Sequence, residues 1–304
     1  MERKLVKQGR NALTVTLPAN WIKEKNLKPG NQVHITKTGS DLVIKSDNVP
    51  EKKEITINIT LKDWRYLQYI LNNQYRIGYD KITLKGEFNP SDLYKALRLL
   101  TGFDISEQET RLVVIENVTE PIVNDPAKPL KQLFFIIKQD LEYVISSLKS
   151  KQKIDFERIS LNAERINKTH NLILRVLSKT NPKRQSLMWD LANMVSRFYR
   201  QVYYLAKALN TKRPVDISPK VIEFIETVYE VFTDLYFGIF KKSLKYLEKI
   251  HTKYEYYETK RHEIYLNKDL FSIIVLNYFG LMFQYCLRST GSATGIITSE
   301  TCEK

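Results

Sequence analysis

Glycine and proline are distributed unevenly along the chain, and this distribution constrains the fold more than any other feature. Over residues 130–287 such helix-breaking residues are rare, and the five that occur are Pro182, Pro214, Pro219, Gly238 and Gly280. Long stretches without them predict helices. We therefore expect an all-helical second half, with helices at roughly 129–149, 153–180, 184–211, 217–241, 243–267 and 269–288.

The first 46 residues have a different pattern, which is typical of short strands. Leu13, Val15 and Leu17 alternate with threonines, as the inward-facing residues of a half-buried strand do. A unit with so few apolar side chains cannot bury a sufficient core alone, which predicts an intertwined dimer. The pattern further predicts a short helix at residues 20–25. A hairpin follows, with strands at 33–35 and 42–44 and a turn at 39–41.

The next segment, residues 52–118, alternates between strand and helix patterns. This alternation indicates a small α/β layer, in which helices pack on one face of a sheet. The predicted elements follow a βαβαβ order, with strand 54–60, helix 63–74, strand 81–85, helix 91–100 and strand 110–117.

The chain is basic, and its charge is concentrated at the two ends. The 304 residues carry a net charge of +14, which favours a polyanionic partner such as nucleic acid or an acidic membrane surface. The net charge is +6 over residues 1–46, −3 over 47–126 and +12 over 127–288. From charge alone, either phosphate contact or a solvated arm explains the N-terminal cluster of Arg3, Lys4, Lys7 and Arg10, with Asn11 beside it.

Other features disfavour several classes of protein. Two cysteines cannot form a disulfide framework or a cysteine-based zinc site, which indicates a reducing cytoplasm. The four histidines lack ligand spacing, and neither a glycine-rich phosphate loop nor a nucleophile elbow is present. We therefore expect neither enzyme activity nor a cofactor.

One uncharged stretch, residues 270–287, is close to the length of a membrane span. Ser272, Asn277 and Gln284 interrupt it, and hydrocarbon penalises such polar groups. The sequence therefore favours a buried core helix over a membrane span.

A run of aromatic and basic residues in the predicted fifth helix of the second half allows two interpretations. It suits a surface that stacks bases and contacts phosphates, but helix packing explains the tyrosines with fewer assumptions. The run consists of Tyr254, Tyr256 and Tyr257 with Lys253, Lys260 and Arg261.

The N-terminal motifs resemble a known DNA-binding domain. Residues 7–21 read KQGRNALTVTLPANW, and they are followed by LKPG at 27–30 and DLVI at 41–44. This pattern resembles the AbrB/MazE-type (SpoVT-AbrB) swapped-hairpin domain. Asn31 stands where that family usually has aspartate after the glycine, which is a small departure in a turn.

The following segment extends the resemblance to a family. Residues 79–82 (YDKI), 99–105 (LLTGFDI) and 111–115 (RLVVI) are similar to the intermediate segment of archaeal phosphate-uptake regulators. Those proteins join an AbrB-like N-terminus to a PhoU-like helical domain. The resemblance extends to about residue 288, through motifs in the first 120 residues and mainly through architecture afterwards.

The resemblance implies an α+β multidomain protein. Its segments would be a dimeric swapped-hairpin β-barrel at 1–46, a small α/β layer at 47–126 and a PhoU-like bundle of two three-helix repeats at 127–288. The small residues of 289–304 predict a disordered tail.

The resemblance also implies roles for individual residues of the N-terminal segment. Lys7, Arg10 and Asn11 would occupy the DNA-facing strand and loop, with Arg3 and Lys4 as neighbouring contacts. The implied core of the barrel consists of Leu13, Val15, Leu17 and Trp21.

Some PhoU-like proteins hold iron or zinc clusters with carboxylates spaced four residues apart on a helix. Glu226, Glu230 and Asp234 form such a run here, and they are the candidate metal ligands. Arg200 and Tyr204 stand where the family pattern has acids, and the last helix offers Asn277, Leu281 and Gln284 in place of carboxylates. We therefore expect the acidic stripe to face solvent or a partner.

Together these features predict a cytoplasmic, homodimeric transcriptional regulator of phosphate uptake that binds double-stranded DNA. The helical domain would sense a signal or bind a partner. The rival hypothesis is a PhoU-like interaction protein, which acts on a phosphate transporter or a kinase and uses its barrel only to dimerise.

Overall fold

The fold is known from a computed structural model, which describes residues 3–9, 12–38, 41–46, 52–60, 63–119, 125–180, 182–266 and 268–301. The chain divides into two compact units, Met1–Lys52 and Lys53–Lys304. The predicted α/β layer and the predicted helices both lie in the second unit. The molecule is a mixed α+β protein with its helices concentrated in the C-terminal part.

The first unit consists of two short hairpins and one helix. β1 (Val6–Gln8) pairs with β2 (Ala12–Thr14), and β3 (Val33–Thr38) pairs with β4 (Asp41–Ser46), both antiparallel. The helix α1 (Ala19–Glu24) lies between the hairpins in the sequence and begins after Pro18. The predicted helix and second hairpin are therefore present, while the strand predicted through Leu17 ends at Thr14.

The second unit begins with an α/β layer of four strands and two helices. Its elements are β5 (Glu54–Ile59), α2 (Trp64–Arg76), β6 (Lys81–Gly86), α3 (Pro90–Leu97), β7 (Phe103–Glu109) and β8 (Leu112–Asn117). Asp63 and Asn89 cap the two helices, since their side chains accept hydrogen bonds from the backbone N–H groups of Arg65 and Ser91.

The predicted βαβαβ order is wrong in one respect, because it omits β7. The sheet order is β5-β6-β8-β7, in which β5 and β6 are parallel and the other neighbours are antiparallel. β7 and β8 form a hairpin whose second strand lies at the centre of the sheet. The segment FDISEQE has only two apolar residues, and an edge strand can carry the polar ones without burying them.

The core of this layer forms between the sheet and the two helices. Leu67, Leu71 and Tyr75 recur every four residues along α2, so they share one face of that helix. This face is buried against Ile82 and Leu84, which alternate along β6 and point to the same side of the sheet.

Six long helices follow, close to their predicted positions. The breaks between them coincide with prolines and turn residues, as the sequence predicts. The helices are α4 (Ala127–Lys149), α5 (Phe156–Thr180), α6 (Gln185–Leu209), α7 (Pro219–Phe240), α8 (Leu244–Tyr265) and α9 (Leu270–Thr301).

The pairing of these helices is regular. α4 packs against α7, and α6 packs against α9. The contacts of α4, α5 and α6 with one another match those of α7, α8 and α9, since each first helix contacts both others and each second helix contacts the third. All six helices contribute to one hydrophobic core.

The prediction of a disordered tail after residue 288 is wrong, because α9 continues to Thr301. Its last turns pack on α6: Ser292 donates a hydrogen bond to Asp190, and Arg184 donates to the Ser299 carbonyl at 2.7 Å. Small side chains permit this close approach, as a Cβ on Gly295 would lie 2.8 Å from Leu187. Small residues therefore mark a helix contact here.

The apolar helix α9 contributes to the core of the bundle. Phe279, Met282, Phe283 and Cys286 are buried among the other helices. Leu270–Ser299 is nevertheless long and apolar enough to cross a membrane, and half of its most apolar stretch is buried inside the protein.

Candidate nucleic-acid and ligand sites

The N-terminal basic residues lie around the first hairpin. Arg3 and Lys4 precede β1, and Lys7 lies within it opposite Leu13 of β2; the three basic side chains are exposed. Gly9 begins the turn with a φ of +74°, a conformation that favours glycine. The other predicted DNA contacts, Arg10 and Asn11, lie outside the described residues.

The first unit exposes its apolar side chains. No described residue of the unit is buried, and Ile35 and Leu42 are 61% and 69% exposed. In β3 and β4 these two side chains share one face with Val33 and Ile44, because side chains of alternate residues point to the same side. The hairpin therefore presents an apolar face that the rest of the first unit does not cover.

The predicted barrel core is not formed within a single chain. Leu13 and Val15 are exposed, while Leu17 and Trp21 are half-buried. The physical reason is size, since two short hairpins and one short helix have too little chain to enclose these side chains.

The acidic stripe of α7 contacts lysines of the same chain. Lys253 Nζ lies 2.9 Å from Glu230 and 3.0 Å from Asp234, and Lys149 pairs with Glu226. Among the described residues no group of three or more His, Cys, Asp or Glu side chains is arranged to hold a metal ion. The three candidate ligands are therefore occupied by ammonium groups, which neutralise the like charges that the sequence places side by side.

The predicted aromatic run serves mainly for packing. Tyr257 is buried and stacks on Phe224 at 4.3 Å between ring centroids, and Tyr254 contacts Phe283 edge to face. Tyr256 is exposed and lines a small cavity of about 250 Å³ with Lys253. The packing interpretation holds for two of the three tyrosines.

A larger cleft lies between the α/β layer and the helices. Its volume is about 400 Å³, and it is lined from α2, from the end of α3, and from α5 and α6. We call it the arginine cleft, because its lining includes the guanidinium groups of Arg76, Arg98 and Arg200. Helical spacing brings Arg200, Tyr203 and Tyr204 to this side of α6.

The charges in the arginine cleft are only partly balanced. Arg98 pairs with Glu164 at 2.5 Å, and Glu164 is the single carboxylate among the described residues that line the cleft. Arg76 donates a hydrogen bond to the neutral Asn171 at 2.8 Å. Burial lowers the pKa of Arg76, and the charge of Arg200 lowers it further, although an arginine remains a cation in a protein.

Only part of this cleft has a signal in the local sequence. Arg200 and Tyr204 lie four residues apart on one face of α6, whereas Arg76 and Arg98 carry no local signal. Their role follows from the tertiary packing of the layer on α5 and α6, which short motifs do not encode.

A buried polar network joins the α/β layer to α5. Arg175 is 1% exposed and donates to the carbonyls of Tyr75 and Tyr79 at 3.2 and 2.7 Å. Its guanidinium also contacts Asp80 at 2.6 Å, and Lys179 contacts the same carboxylate at 2.5 Å. This network fixes the layer against the helix that forms one wall of the cleft.

Behind the cleft, Asp140 of α4 is a fully buried carboxylate. Asn162 donates to both of its oxygens at 2.9 and 3.0 Å, and the Tyr199 hydroxyl donates at 2.7 Å. Burial, together with the Asp140 charge and this hydrogen bond, raises the pKa of Tyr199, which stays protonated as the donor. Tyr199 is thereby held in the wall of the cleft.

His170 gives the protein a testable dependence on pH. Burial, with a smaller effect of the nearby Arg76 charge, lowers the pKa of His170 to about 3, and Nε2 lies 3.1 Å from Asn193 Oδ1. Between that value and the unfolded value of about 6.5, only the unfolded state takes up the proton, so acid favours unfolding. From pH 7 to pH 5 the wild type should lose about 2 kcal/mol more stability than His170→Gln.

Urea unfolding of both proteins at the two pH values measures this difference, with the other histidines present in each. Equal losses of stability in the wild type and the variant would show that His170 takes up its proton as readily in the folded state as in the unfolded state.

Comparison with known proteins leaves the family open. No protein-family model matches the sequence, and no curated protein is significantly similar to it. The likeness to AbrB-like and PhoU-like proteins therefore rests on the motifs at residues 7–44 and 79–115.

Proposed function

We propose that the protein is a homodimeric DNA-binding transcriptional regulator. The observation that supports this most is the first unit, which combines exposed basic side chains with apolar faces that the unit itself leaves uncovered. Burying Ile35 and Leu42 against a second copy would remove apolar surface from water, which is favourable by about 25 cal/mol per Å². A swapped-hairpin barrel formed by two N-terminal units meets this need.

The same hairpins would present cations to the DNA backbone. Arg3, Lys4 and Lys7 extend from the first hairpin, and a two-fold dimer carries each of them twice. Lysine and arginine bind phosphates through charge, and this term supplies much of the affinity of DNA-binding proteins. In this proposal the basic residues of the N-terminus contact the phosphates of the DNA.

In this proposal the helical region is a bundle of two three-helix repeats that senses a signal or binds a partner. The matching contacts within α4–α6 and within α7–α9 support the repeat. The regulation of phosphate uptake rests on the motif resemblance at residues 79–115. Mapping of DNA occupancy in cells, with and without phosphate limitation, tests that part.

Removal of two of the basic side chains should weaken DNA binding. We expect Lys4→Ala with Lys7→Ala to lower duplex affinity at least tenfold at moderate salt, because each lost phosphate contact removes a charge interaction. The slope of log K against log salt should become shallower by about 0.9 per lost contact. Fluorescence anisotropy with a labelled promoter fragment measures both quantities.

The matched control is Lys23→Ala with Lys28→Ala, which removes the same charge from exposed positions in and after α1. It should retain most of the affinity, and light scattering should give the same dimeric mass for all three proteins. An unchanged affinity and salt slope in the Lys4 and Lys7 variant would overturn the DNA proposal. Such a result, together with capture of a transporter or kinase, would favour the rival interaction protein.

A further inference from the structure

The arginine cleft carries positive charge that the chain does not neutralise. Three guanidinium groups meet one carboxylate in its described lining, and that carboxylate is engaged by Arg98. Arg200 forms no ion pair with any residue in the described part of the chain. Arg76 and Arg200 line the same cleft and their like charges repel each other; Arg76 is half-buried and Arg200 is exposed, so water screens only part of this repulsion. A bound anion would relieve it.

The groups present select the kind of anion. The planar guanidinium group of arginine donates two parallel hydrogen bonds to a pair of phosphate oxygens, and arginine is therefore common in phosphate-binding sites. The rest of the cleft offers the rings of Tyr69, Tyr203 and Tyr204, which suit a planar or apolar moiety. The volume of about 400 Å³ lies in the range of small-molecule sites and exceeds that of a bare oxyanion.

We propose that the arginine cleft binds a small molecule that carries a phosphate group. Arg76, Arg98 and Arg200 contact the phosphate oxygens, and the tyrosines contact the remainder of the ligand. Two sources provide this chemistry, inorganic phosphate and a mononucleotide. The cleft lies wholly in the second unit, so the proposal does not depend on DNA binding by the first.

The departures from the acidic pattern acquire a function in this proposal. Arg200 and Tyr204 replace acids in the third helix, and they line the cleft that faces the α/β layer. Carboxylates at these positions would repel a phosphate, whereas a guanidinium and a phenol both donate hydrogen bonds to it.

The test is isothermal titration of the full chain, in the absence of DNA and at constant ionic strength. The probes are inorganic phosphate, AMP and adenosine. We expect saturable binding of phosphate or AMP with a Kd below about 1 mM, and no binding of adenosine. Phosphate binding as tight as that of AMP identifies the free ion as the source, and much tighter binding of AMP identifies a nucleotide.

The informative variant is Arg200→Gln, because this side chain has no described ion pair whose loss would disturb the fold. We expect it to weaken binding by about tenfold or more, with a thermal midpoint in the absence of ligand that is no lower than that of the wild type, because the change also removes the repulsion with Arg76. Arg197→Gln is the matched control, since it removes the same charge from an exposed position of the same helix outside the cleft lining. Its affinity should equal that of the wild type.

Three outcomes would overturn the proposal. The first is no saturable binding of phosphate or AMP, and the second is equal binding of AMP and adenosine, which would exclude recognition of the phosphate. The third is an equal loss of affinity in the Arg197 and Arg200 variants, which would indicate general charge attraction. Lys4 and Lys7 do not line the cleft, so a negative titration result would not affect the DNA proposal. Likewise, a failure of DNA binding would not affect the cleft proposal.

Discussion

Replacement of Asp80 by asparagine should destabilise the protein by about 3 kcal/mol, because it leaves a buried guanidinium without its counter-ion. Arg175 is almost fully buried and contacts the Asp80 carboxylate at 2.6 Å. Burial acts to raise the pKa of Asp80, but the hydrogen bond from Lys179 and the charges of Lys179 and Arg175 lower it overall. Asparagine retains the shape of the side chain but removes the charge, and its NH2 group cannot accept the hydrogen bond that one Asp80 oxygen accepts from the Lys53 N–H. Urea unfolding at neutral pH measures the loss.

The control for this prediction is an ion pair of similar length nearer the surface. Lys81 lies 3.0 Å from Glu116 with both side chains partly exposed, so Glu116→Gln should cost no more than about 1 kcal/mol. A second comparison, Asp80→Asn in an Arg175→Met background, should cost less than Asp80→Asn alone, because the unpaired charge is absent. Similar losses of unfolding free energy for Asp80→Asn and Glu116→Gln would contradict the prediction that the Arg175–Asp80 pair is the more costly one to break.

The second large effect is expected at Gly102, between α3 and β7. This residue has a φ of +83°, and an added Cβ would lie 2.1 Å from the Thr119 carbonyl oxygen. A left-handed conformation costs an alanine about 1–2 kcal/mol, and relief of the overlap adds a comparable cost. Gly102→Ala should therefore lower the free energy of unfolding by about 3 kcal/mol, as measured by denaturant titration.

The matched glycine is Gly291 in α9, where an added Cβ meets no other atom within 4 Å. Gly291→Ala should stabilise the protein by about 0.5–1 kcal/mol, because alanine loses less conformational freedom in a helix. We therefore expect the two substitutions to change the free energy of unfolding in opposite directions. A loss below about 1 kcal/mol for Gly102→Ala would show that the turn relaxes and that the glycine is not required.

The helices were predictable because their signal is local. Breaks at Pro182, Pro214 and Pro219 separate long apolar-periodic stretches, and α4 to α8 each lie within a few residues of their predicted ranges, as does the start of α9. The strand β7 was missed because Asp104, Glu107 and Glu109 mask the alternation, which an exposed edge tolerates. Local sequence does not record which strand lies at an edge.

The end of α9 was missed for a related reason. Serine, threonine and glycine are weak helix formers, so residues 289–301 predict a loop or a disordered segment when they are considered alone. Packing against α6 overrides that propensity, since Ala293 and Ile297 are buried. The partner helix lies about a hundred positions earlier in the chain, outside any local window.

The candidate sites show the same division between local and tertiary information. The basic cluster of Arg3, Lys4 and Lys7 lies within five positions of the sequence, and its three side chains are exposed. The arginine cleft combines Arg76, Arg98 and Arg200, which are distant in sequence and are brought together by the docking of the layer on α5 and α6. Such a site becomes visible only when the packing is known.

The burial of Cys286 in the bundle has a practical consequence. Burial raises the pKa of its thiol, and a thiol must be solvated and ionised before it reacts with an alkylating reagent. In a Cys302→Ser chain, Cys286 is the single thiol. The rate at which a maleimide modifies it then measures how often the helical bundle opens under native conditions. Modification rates with and without a cleft ligand would show whether the bound molecule suppresses that opening.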